Sequence, residues 1–293
     1  MKIELKNNIL QLRSISCADT DAVFAYFHIA KKKRYEYYQN NRVSINNRII
    51  LRNHALQKQD TVRISLCMEE DTVAPWYEDL EILFEDELFC IVNKPANLLV
   101  HSDGIENVHT VYNLVKAHYL MEGHNTCVRA LHRLDYETSG ALIFCKIPFL
   151  QPLLDAMLKS KQIYREYEAF AQGHMAQKQY TITRGIARDR HDARKMRISN
   201  QGKAARTDVF VIRNFANFTW IRCRLYTGRT HQIRVHLAAI QHPLLSDPLY
   251  GTRDSRCPRL ALHACRVLIP HPLSNDMLRV ECPLPHDLRQ LLD

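Results

Sequence analysis

The sequence of 293 residues predicts an α+β fold with a mixed, largely antiparallel central sheet, preceded by a small α/β unit. Apolar segments typical of strands recur at about 141–146, 167–172, 207–213 and 217–226. Few helical patterns separate some of these segments, which favours antiparallel neighbours. The N-terminal part has a different pattern, and the length suits one large domain with a smaller one.

The N-terminal region, residues 1–67, is predicted to be the small α/β unit. A basic run, Lys31–Arg34, leads into an aromatic stretch that resembles a helix. Val43–Ile45 alternates like a strand, and Asn46-Asn47 after it is typical of a hairpin turn.

Residues 68–79 are predicted to be a linker, because they are acidic, contain Pro75 and show no periodic pattern. The large domain is therefore predicted to span 80–293. Within it, Thr110 is predicted to cap a helix, and an amphipathic stripe over 150–158 is predicted to be core.

The stretch Leu131–Gly140 places one carboxylate, Asp135, between Arg133 and a Thr-Ser-Gly turn, just before an apolar run. Asp is depleted in strands and favours loops, so we expect Asp135 in a loop ahead of a buried strand. Catalytic side chains are often held in this way. Taken alone, however, such an Asp more often caps a turn or pairs with its neighbour.

A second block, Leu225–Leu237, is predicted to form a strand, a tight glycine turn and a helix capped by Thr230. Ile233 and Leu237 repeat at helical spacing and mark a buried stripe. Arg234 lies about 100° further round the helix than its neighbour, so it could reach a partly buried carboxylate. An Arg in that place is more often a surface residue whose stem packs on the core.

Both stretches resemble signature motifs of the RluA-type RNA pseudouridine synthases, and so do Ile82–Pro95 and Arg165–Ala169. Many relatives have Lys in place of Arg165. The resemblance covers about 80–293 and implies a pseudouridine-synthase fold that converts uridine in structured RNA to pseudouridine, without cofactor or metal. Residues 1–67 resemble the alpha-L RNA-binding domain of a ribosomal protein.

The resemblance assigns roles to individual residues of this chain. Asp135 matches the catalytic carboxylate, which either attacks the sugar or abstracts a ribose proton, and Arg234 matches its salt-bridge partner. Tyr167 matches the ring that stacks on the uracil, and Leu262 matches an apolar wall of the uracil pocket. Arg133 is placed to fill the gap left by a flipped nucleotide or to hold a phosphate.

A net charge of +9 and a pI near 9.1 favour a polyanionic partner. We expect this partner to be ribosomal or transfer RNA, with ribosomal RNA favoured. Further substrate-binding candidates are His132, Arg229 and Lys94. Residues expected at the RNA backbone are Lys32, Lys33, Arg34, Arg42, Arg188, Lys195 and Lys203. The last three lie in a charge-dense segment, 184–206, which is either a solvated loop or a phosphate-contacting arm.

Nine cysteines occur without a CxxC pair or a zinc-ligand spacing. This pattern argues for reduced thiols in a cytoplasmic protein and against a disulfide framework or a structural zinc. No apolar stretch approaches the length of a membrane span, so no membrane partner is expected. We expect a monomer.

Two other functions fit parts of the sequence. A catalytically silent RNA-binding or ribosome-assembly factor would use the same scaffold, but it would be expected to have lost at least one of Asp135, Tyr167 and Arg234. A glycosidase is disfavoured because no partnered acid carboxylate occurs at a recognisable spacing.

Overall fold

The chain forms two main β-sheets, one of five strands near the N-terminus and one of ten strands in the remainder. The structure is a computed structural model, which describes residues 2–13, 15–67, 71–102, 108–274 and 276–293.

We call the described residues up to 67 the N-terminal unit. Its elements are β1 (Lys2–Lys6), β2 (Ile9–Arg13), α1 (Thr20–Tyr26), α2 (Lys31–Gln39), β3 (Val43–Ile45), β4 (Arg48–Ile49) and β5 (Val62–Ser65). The strands pair antiparallel in the order β1-β2-β5-β3-β4. The predicted hairpin turn is present between β3 and β4. Asn46 and Asn47 have φ of 48° and 69° there, a conformation that Asn tolerates better than most residues.

The large sheet and its helices occupy the rest of the chain. Its elements are β6 (Ile82–Glu85), β7 (Phe89–Lys94), α3 (Val111–Met121), β8 (Arg129–Ala130), β9 (Ser139–Cys145), α4 (Gln151–Lys159), β10 (Tyr164–Gln172), β11 (Gln179–Ile182), β12 (Ile186–Arg188), β13 (Met196–Ile198), β14 (Thr207–Asn214), β15 (Phe218–Leu225), α5 (Gln232–Ala238), β16 (Leu262–Pro270), β17 (Met277–Glu281) and α6 (His286–Arg289). Short 3-10 turns cover Pro148–Leu150 and Gln290–Leu292.

The strand order of the large sheet is β11-β14-β15-β10-β16-β9-β7-β6, with β17 beside β16 and β8 beside β9. Among the described strands, β9 and β16 pair parallel and every other pair is antiparallel. The mixed, largely antiparallel sheet predicted from the sequence is therefore confirmed. Strands β12 and β13 form a separate hairpin.

The parallel contact between β9 and β16 requires a glycine. Gly140 pairs with Ala264 and has φ of 111°, and a Cβ on it would lie 2.3 Å from the carbonyl oxygen of Ala264. Only glycine satisfies both the close approach and the positive φ. This contact fixes the loop that precedes β9 against a strand from the far end of the chain.

The N-terminal unit shares its hydrophobic core with the large sheet. Phe149, in the turn before α4, places its ring 5.3 Å from that of Tyr37, 5.5 Å from Phe27 and 6.2 Å from Phe24, measured between centroids. All four side chains are buried in one continuous cluster. Burial of this much aromatic surface couples the two parts of the chain.

The segment predicted to be a linker is held against α3. Residues 68–70 lie outside the described part of the chain, and 71–79 form neither helix nor strand. Asp71 pairs with Lys116 at 3.0 Å, and the side-chain amide of Asn113 donates to the carbonyl of Ala74 at 2.7 Å.

The two predicted helix caps have different outcomes. Thr110 begins α3 as predicted, with its backbone N–H and hydroxyl both donating to the Asn113 side chain at 3.1 and 2.6 Å. The prediction that Thr230 caps α5 is wrong, because the cap is His231, with φ of 55°. The turn is closed instead by the Gln232 amide oxygen, which accepts a hydrogen bond from the turn's backbone at 3.1 Å.

Candidate active site

A cavity of about 440 Å³ opens between the 131–138 loop, β10, β15 and α5. A volume in this range suits a small molecule or a single nucleotide residue. The predicted site residues that line it are His132, Arg133, Asp135, Tyr167, Arg229, Arg234 and Leu262.

Asp135 meets Arg234 at this cavity. The Arg234 Nη1 donates to Asp135 Oδ2 at 3.0 Å, across 99 residues of sequence. The other side of the same guanidinium binds Asp247 in bidentate fashion, through Nε and Nη2, both at 2.9 Å. Bidentate pairing fixes the plane of an arginine, so Asp247 sets the direction in which Arg234 faces Asp135.

The network balances its buried charges. Burial opposes the charge of Arg234, but the hydrogen bonds to Asp247 and the charges of both carboxylates raise the pKa of Arg234 above its usual value. The Asp247 side chain is fully buried and also accepts the backbone N–H groups of Leu249 and Tyr250 at 2.9 and 3.1 Å. The Asp135 side chain is 27% exposed, so its free edge faces the cavity.

His231 and Tyr250 complete the surroundings of the carboxylate. The Tyr250 hydroxyl accepts the backbone N–H of Met196 at 2.6 Å and lies 3.0 Å from His231 Nδ1. The Nε2 atom of the same ring lies 3.9 Å from Asp135 Oδ2. Burial lowers the pKa of His231, which favours the neutral form of the ring.

Tyr167 and Leu262 form the apolar side of the cavity, and both are about 4% exposed. Between Glu166 and Tyr167 the pairing of β10 with β16 shifts, which leaves Cys265 as an extra residue on β16. Such a bulge redirects the neighbouring side chains, as is common beside active sites. Burial raises the pKa of Tyr167, so the phenol is neutral at pH 7.

His132 is a buried neutral histidine in the cavity wall. Burial and the nearby charge of Arg165 lower the pKa of His132 to about 3. Within the described chain neither ring nitrogen has a hydrogen-bond partner. The ring therefore offers one donor and one acceptor to a bound molecule.

Arg133 and Arg229 lie at the rim of the cavity, and both are exposed. Arg229 is steadied by a hydrogen bond from its Nε to the carbonyl of Ala204 at 3.1 Å. The rim thus carries two cations that a polyanion could reach from solvent.

Lys94, predicted to bind substrate, does not line the cavity. It is fully buried, and its Nζ donates to the carbonyls of Pro95, Leu98 and Tyr136 at 2.8, 2.7 and 3.1 Å. Three acceptors occupy all three of its protons. The prediction of direct substrate contact is therefore wrong, and Lys94 instead ties the end of β7 to the residue after Asp135.

The predicted RNA-backbone residues of the N-terminal unit lie outside the cavity. Lys32 is exposed, and Lys33, Arg34 and Arg42 are half-buried. Arg34 also donates from Nε to the carbonyl of Ile29 at 2.8 Å. These cations cluster at the start of α2 and just before β3.

The charge-dense segment 184–206 contains the β12–β13 hairpin, with Arg188 and Lys203 exposed and Lys195 half-buried. It docks on the outer wall of the site, because its buried residues pack against Val235 of α5 and the Met196 N–H reaches Tyr250. The segment is therefore an ordered arm beside the cavity.

Sequence reasoning assigned no role to four groups in or beside the cavity wall. Asp247, His231 and Tyr250 surround the Asp135–Arg234 pair, and Arg165 is a second buried cation in the wall. One argument from the sequence could have pointed to Asp247. A buried Arg234 has five N–H donors, and Asp135 alone cannot accept all of them, so a second acceptor was to be expected.

One group of described residues has donor atoms close enough for a metal: Glu85, Cys90 and His118, within 4.8 Å of one another. The donor set does not fit. Lys146 and His118 already contact the two oxygens of Glu85 at 2.6 Å each, and burial raises the pKa of Cys90 to about 12. The thiol is therefore protonated, whereas a metal needs a thiolate. None of the three lines the cavity.

No helix in the described ranges is both long enough and apolar enough to span a bilayer. Residues 89–239 match the family model described as RNA pseudouridylate synthase.

Two curated relatives and one solved structure illustrate the similarity. An uncharacterised RNA pseudouridine synthase of Bacillus subtilis is 38% identical over 259 residues, 87% of this chain and 86% of that protein. The ribosomal large subunit pseudouridine synthase D of Escherichia coli is 35% identical over 239 residues, 77% of this chain and 73% of that protein. The structure of human RNA pseudouridylate synthase domain containing 1 superimposes with a TM-score of 0.60 at 28% identity, covering 74% of this chain and 87% of that one.

Proposed function

The chain belongs to the RNA pseudouridylate synthase family and is an RNA-modifying isomerase, and from that premise we propose that Asp135 carries out its chemistry on specific uridines of structured RNA. The observation that carries this proposal is the Asp135 carboxylate at the cavity, held at 3.0 Å by the buried Arg234. A carboxylate with one oxygen neutralised and one edge open is suited to act on a ribose.

In this proposal the uracil leaves carbon 1 of its ribose, turns within the cavity and rejoins through carbon 5. Asp135 either attacks carbon 1 or abstracts a ribose proton. Arg234 supplies the positive charge beside the carboxylate, and Asp247 keeps Arg234 in place. Tyr167 packs on the detached base, while Leu262 limits its movement.

We further propose that the substrate is ribosomal RNA rather than transfer RNA, because relatives at 35–37% identity are named ribosomal large subunit pseudouridine synthases. The target nucleotide is flipped out of its helix to reach the cavity, with Arg133 and Arg229 at the rim and His132 inside it. The protein works as a cytoplasmic monomer without metal or cofactor. The RNA backbone is held by Lys32, Lys33, Arg34, Arg42, Arg188, Lys195 and Lys203.

We propose a division of the chain into an RNA-binding domain over 1–67, a connecting segment over 68–79 and a catalytic domain over 80–293. The separate five-stranded and ten-stranded sheets support this division. A catalytically silent assembly factor on the same scaffold is the alternative. The convergence of Asp135, Tyr167 and Arg234 on one cavity disfavours it, because a binding protein has no need to maintain a buried ion pair.

The test compares unmodified transcripts of large-subunit ribosomal RNA and of transfer RNA, incubated with the protein and mapped for pseudouridine. We expect product in the ribosomal transcript, and loss of that product with Asp135→Asn. Asp155→Asn is the matched control, because Asp155 is an exposed carboxylate at the same cavity that contacts Gln151 and has no assigned role. Product formed by Asp135→Asn at near the wild-type rate would contradict the proposal.

A further inference from the structure

Arg165 is a buried cation in the cavity wall. The residue is 5% exposed, and its Nε is buried without a hydrogen-bond partner. Among the residues that the structure describes, no carboxylate or carbonyl pairs with its guanidinium. Its neighbour Glu166 points to the other face of β10, where it binds Arg224 and Arg266 at 2.5 and 2.9 Å. A buried charge without a partner is costly, which indicates that Arg165 is held ready for a ligand.

The guanidinium lies beside the proposed reaction centre. Arg165 and Tyr167 are two positions apart on β10 and so share the face that lines the cavity. The charge of Arg165 acts on both the Tyr167 hydroxyl and the His132 ring. On its open side stands Gly228, where an added Cβ would lie 3.3 Å from Arg165 Nη1. The glycine leaves room for the guanidinium.

His132 adds polar atoms that also lack partners. Both of its ring nitrogens are buried without a hydrogen-bond partner in the described chain. Arg165 and His132 thus present several donors and one acceptor at the end of a cavity whose other wall is Tyr167 and Leu262. This combination matches the edge of a pyrimidine base that carries negative charge, stacked on an aromatic ring.

We propose that Arg165 stabilises the uracil anion that forms when the bond between C1′ and N1 breaks, by donating a hydrogen bond to a carbonyl oxygen of the base. This inference rests on the proposed function. Arg165 would then be a catalytic residue whose contact strengthens as charge develops on the base.

Electrons and protons balance in this step. The electron pair of the C1′–N1 bond leaves with the base and is shared by N1 and the two carbonyl oxygens, one of which faces Arg165. On the sugar, either Asp135 forms a bond to C1′ or it takes a proton from C2′. After the base has turned, C5 supplies the electron pair of the new C1′–C5 bond, Asp135 is released or returns its proton, and the C5 proton is transferred to N1. Arg165 keeps its own protons throughout.

The test uses transcripts of large-subunit ribosomal RNA made with either uridine or 5-fluorouridine, and follows loss of the target nucleoside under single-turnover conditions. Fluorine withdraws electrons and so stabilises the uracil anion without help from the protein. We expect Arg165→Gln to slow cleavage of uridine by on the order of 100-fold, the usual effect of losing one preorganised donor. The loss with 5-fluorouridine should be about tenfold smaller.

Two further variants keep the test decisive if Arg165→Gln does not fold. Arg165→Lys, which carries the residue that many relatives have, should recover part of the rate. Gly228→Ala leaves Arg165 in place but crowds its guanidinium, and should show a smaller loss with the same dependence on fluorine. Arg229→Gln is the matched control at the rim: it should weaken RNA binding without changing the ratio of the two rates.

Equal losses on both nucleosides in Arg165→Gln or Gly228→Ala, with wild-type turnover intact, would overturn the role of Arg165 alone. A lowered salt dependence of RNA binding in Arg165→Gln, with an unchanged rate ratio, would also overturn it, because it would identify a phosphate contact. Absence of pseudouridine from the uridine transcript with the wild-type protein would instead refute the proposed function, and this inference with it.

Discussion

The cations of the cavity and those of α2 carry the same charge in opposite environments. The Arg234 side chain is 5% exposed and binds two carboxylates at 2.9 and 3.0 Å, whereas that of Lys33 is 43% exposed and reaches Glu36 at 3.6 Å. A buried pair is strongly destabilising to break, while an exposed pair contributes about 0–1 kcal/mol. Burial, rather than charge, therefore separates the cation that holds the site together from the cations proposed to contact RNA.

Arg234→Leu tests the buried side of this comparison and should have the largest effect. Removing it strands Asp247 in the interior and leaves Asp135 without its cation, so activity should be lost and the free energy of unfolding should fall by about 3–5 kcal/mol. The measurements are urea unfolding and pseudouridine formation. Arg229→Leu, at the exposed rim, should change stability by less than about 0.5 kcal/mol. Full activity in Arg234→Leu would contradict the assignment of the pair.

Phe149→Ala tests whether the two sheets depend on a common core. Truncation of this buried ring should cost about 3–5 kcal/mol in urea unfolding, because it leaves a cavity between Phe24, Phe27 and Tyr37. Tyr35, a 65% exposed aromatic of α2, provides the control, and Tyr35→Ala should have little effect on stability. A loss of less than about 1 kcal/mol in the free energy of unfolding would mean that the N-terminal unit and the large sheet do not stabilise each other.

The buried His132 should make the free energy of unfolding depend on pH. Its pKa is about 3 in the folded protein against an ordinary 6.5, so as pH falls below 6.5 the unfolded chain gains a proton that the native protein does not take up until about pH 3. Stability is therefore lost as pH falls through this window, by at most about 1.4 kcal/mol per pH unit, and is unaffected above it. Urea unfolding of wild type and His132→Gln from pH 7 to 4 should show a flatter dependence for the variant. If the free energy of unfolding fell equally with pH in wild type and in His132→Gln, the lowered pKa of His132 would be refuted.

Replacing Lys32, Lys33 and Arg42 by glutamine tests the cations outside the cavity. It should have the smallest effect on the stability of the protein. Stability should change by less than about 0.5 kcal/mol per substitution, and turnover at saturating RNA should not change. The slope of log affinity against log salt should fall by roughly 0.7–0.9 for each phosphate that the variant no longer neutralises. Arg279→Gln is the control, since Arg279 is exposed on β17 and paired with Glu281. If the slope of log affinity against log salt did not change, these three residues would not contact the RNA backbone.

The sequence was informative where a short stretch determines a local structure. The loop before β9, the α3 cap and the β3–β4 hairpin each depend on a few neighbouring residues, and all three are present. Asn97, Gln241 and Ser246 each have a positive φ, of 59°, 67° and 52°, a conformation that glycine adopts most readily and that the local sequence pattern did not predict.

The sequence was less informative where a residue's role depends on a partner far along the chain. Lys94 was predicted to bind substrate, but its three protons go to carbonyls that folding brings together, and it does not line the cavity. The role of Asp247 depends on the rotation of α5, and that of Phe149 on a surface more than 100 residues earlier. Local pattern does not encode such distant pairings.

The pairing of Gly140 with Ala264 has a consequence for the timing of synthesis. The loop that carries Asp135 acquires its backing strand only after β16 has left the ribosome, about 120 residues later, and such long-range pairing is slow to form. A nascent chain that already contains Asp135, Tyr167 and Arg234 therefore still lacks the strand that fixes the Asp135 loop.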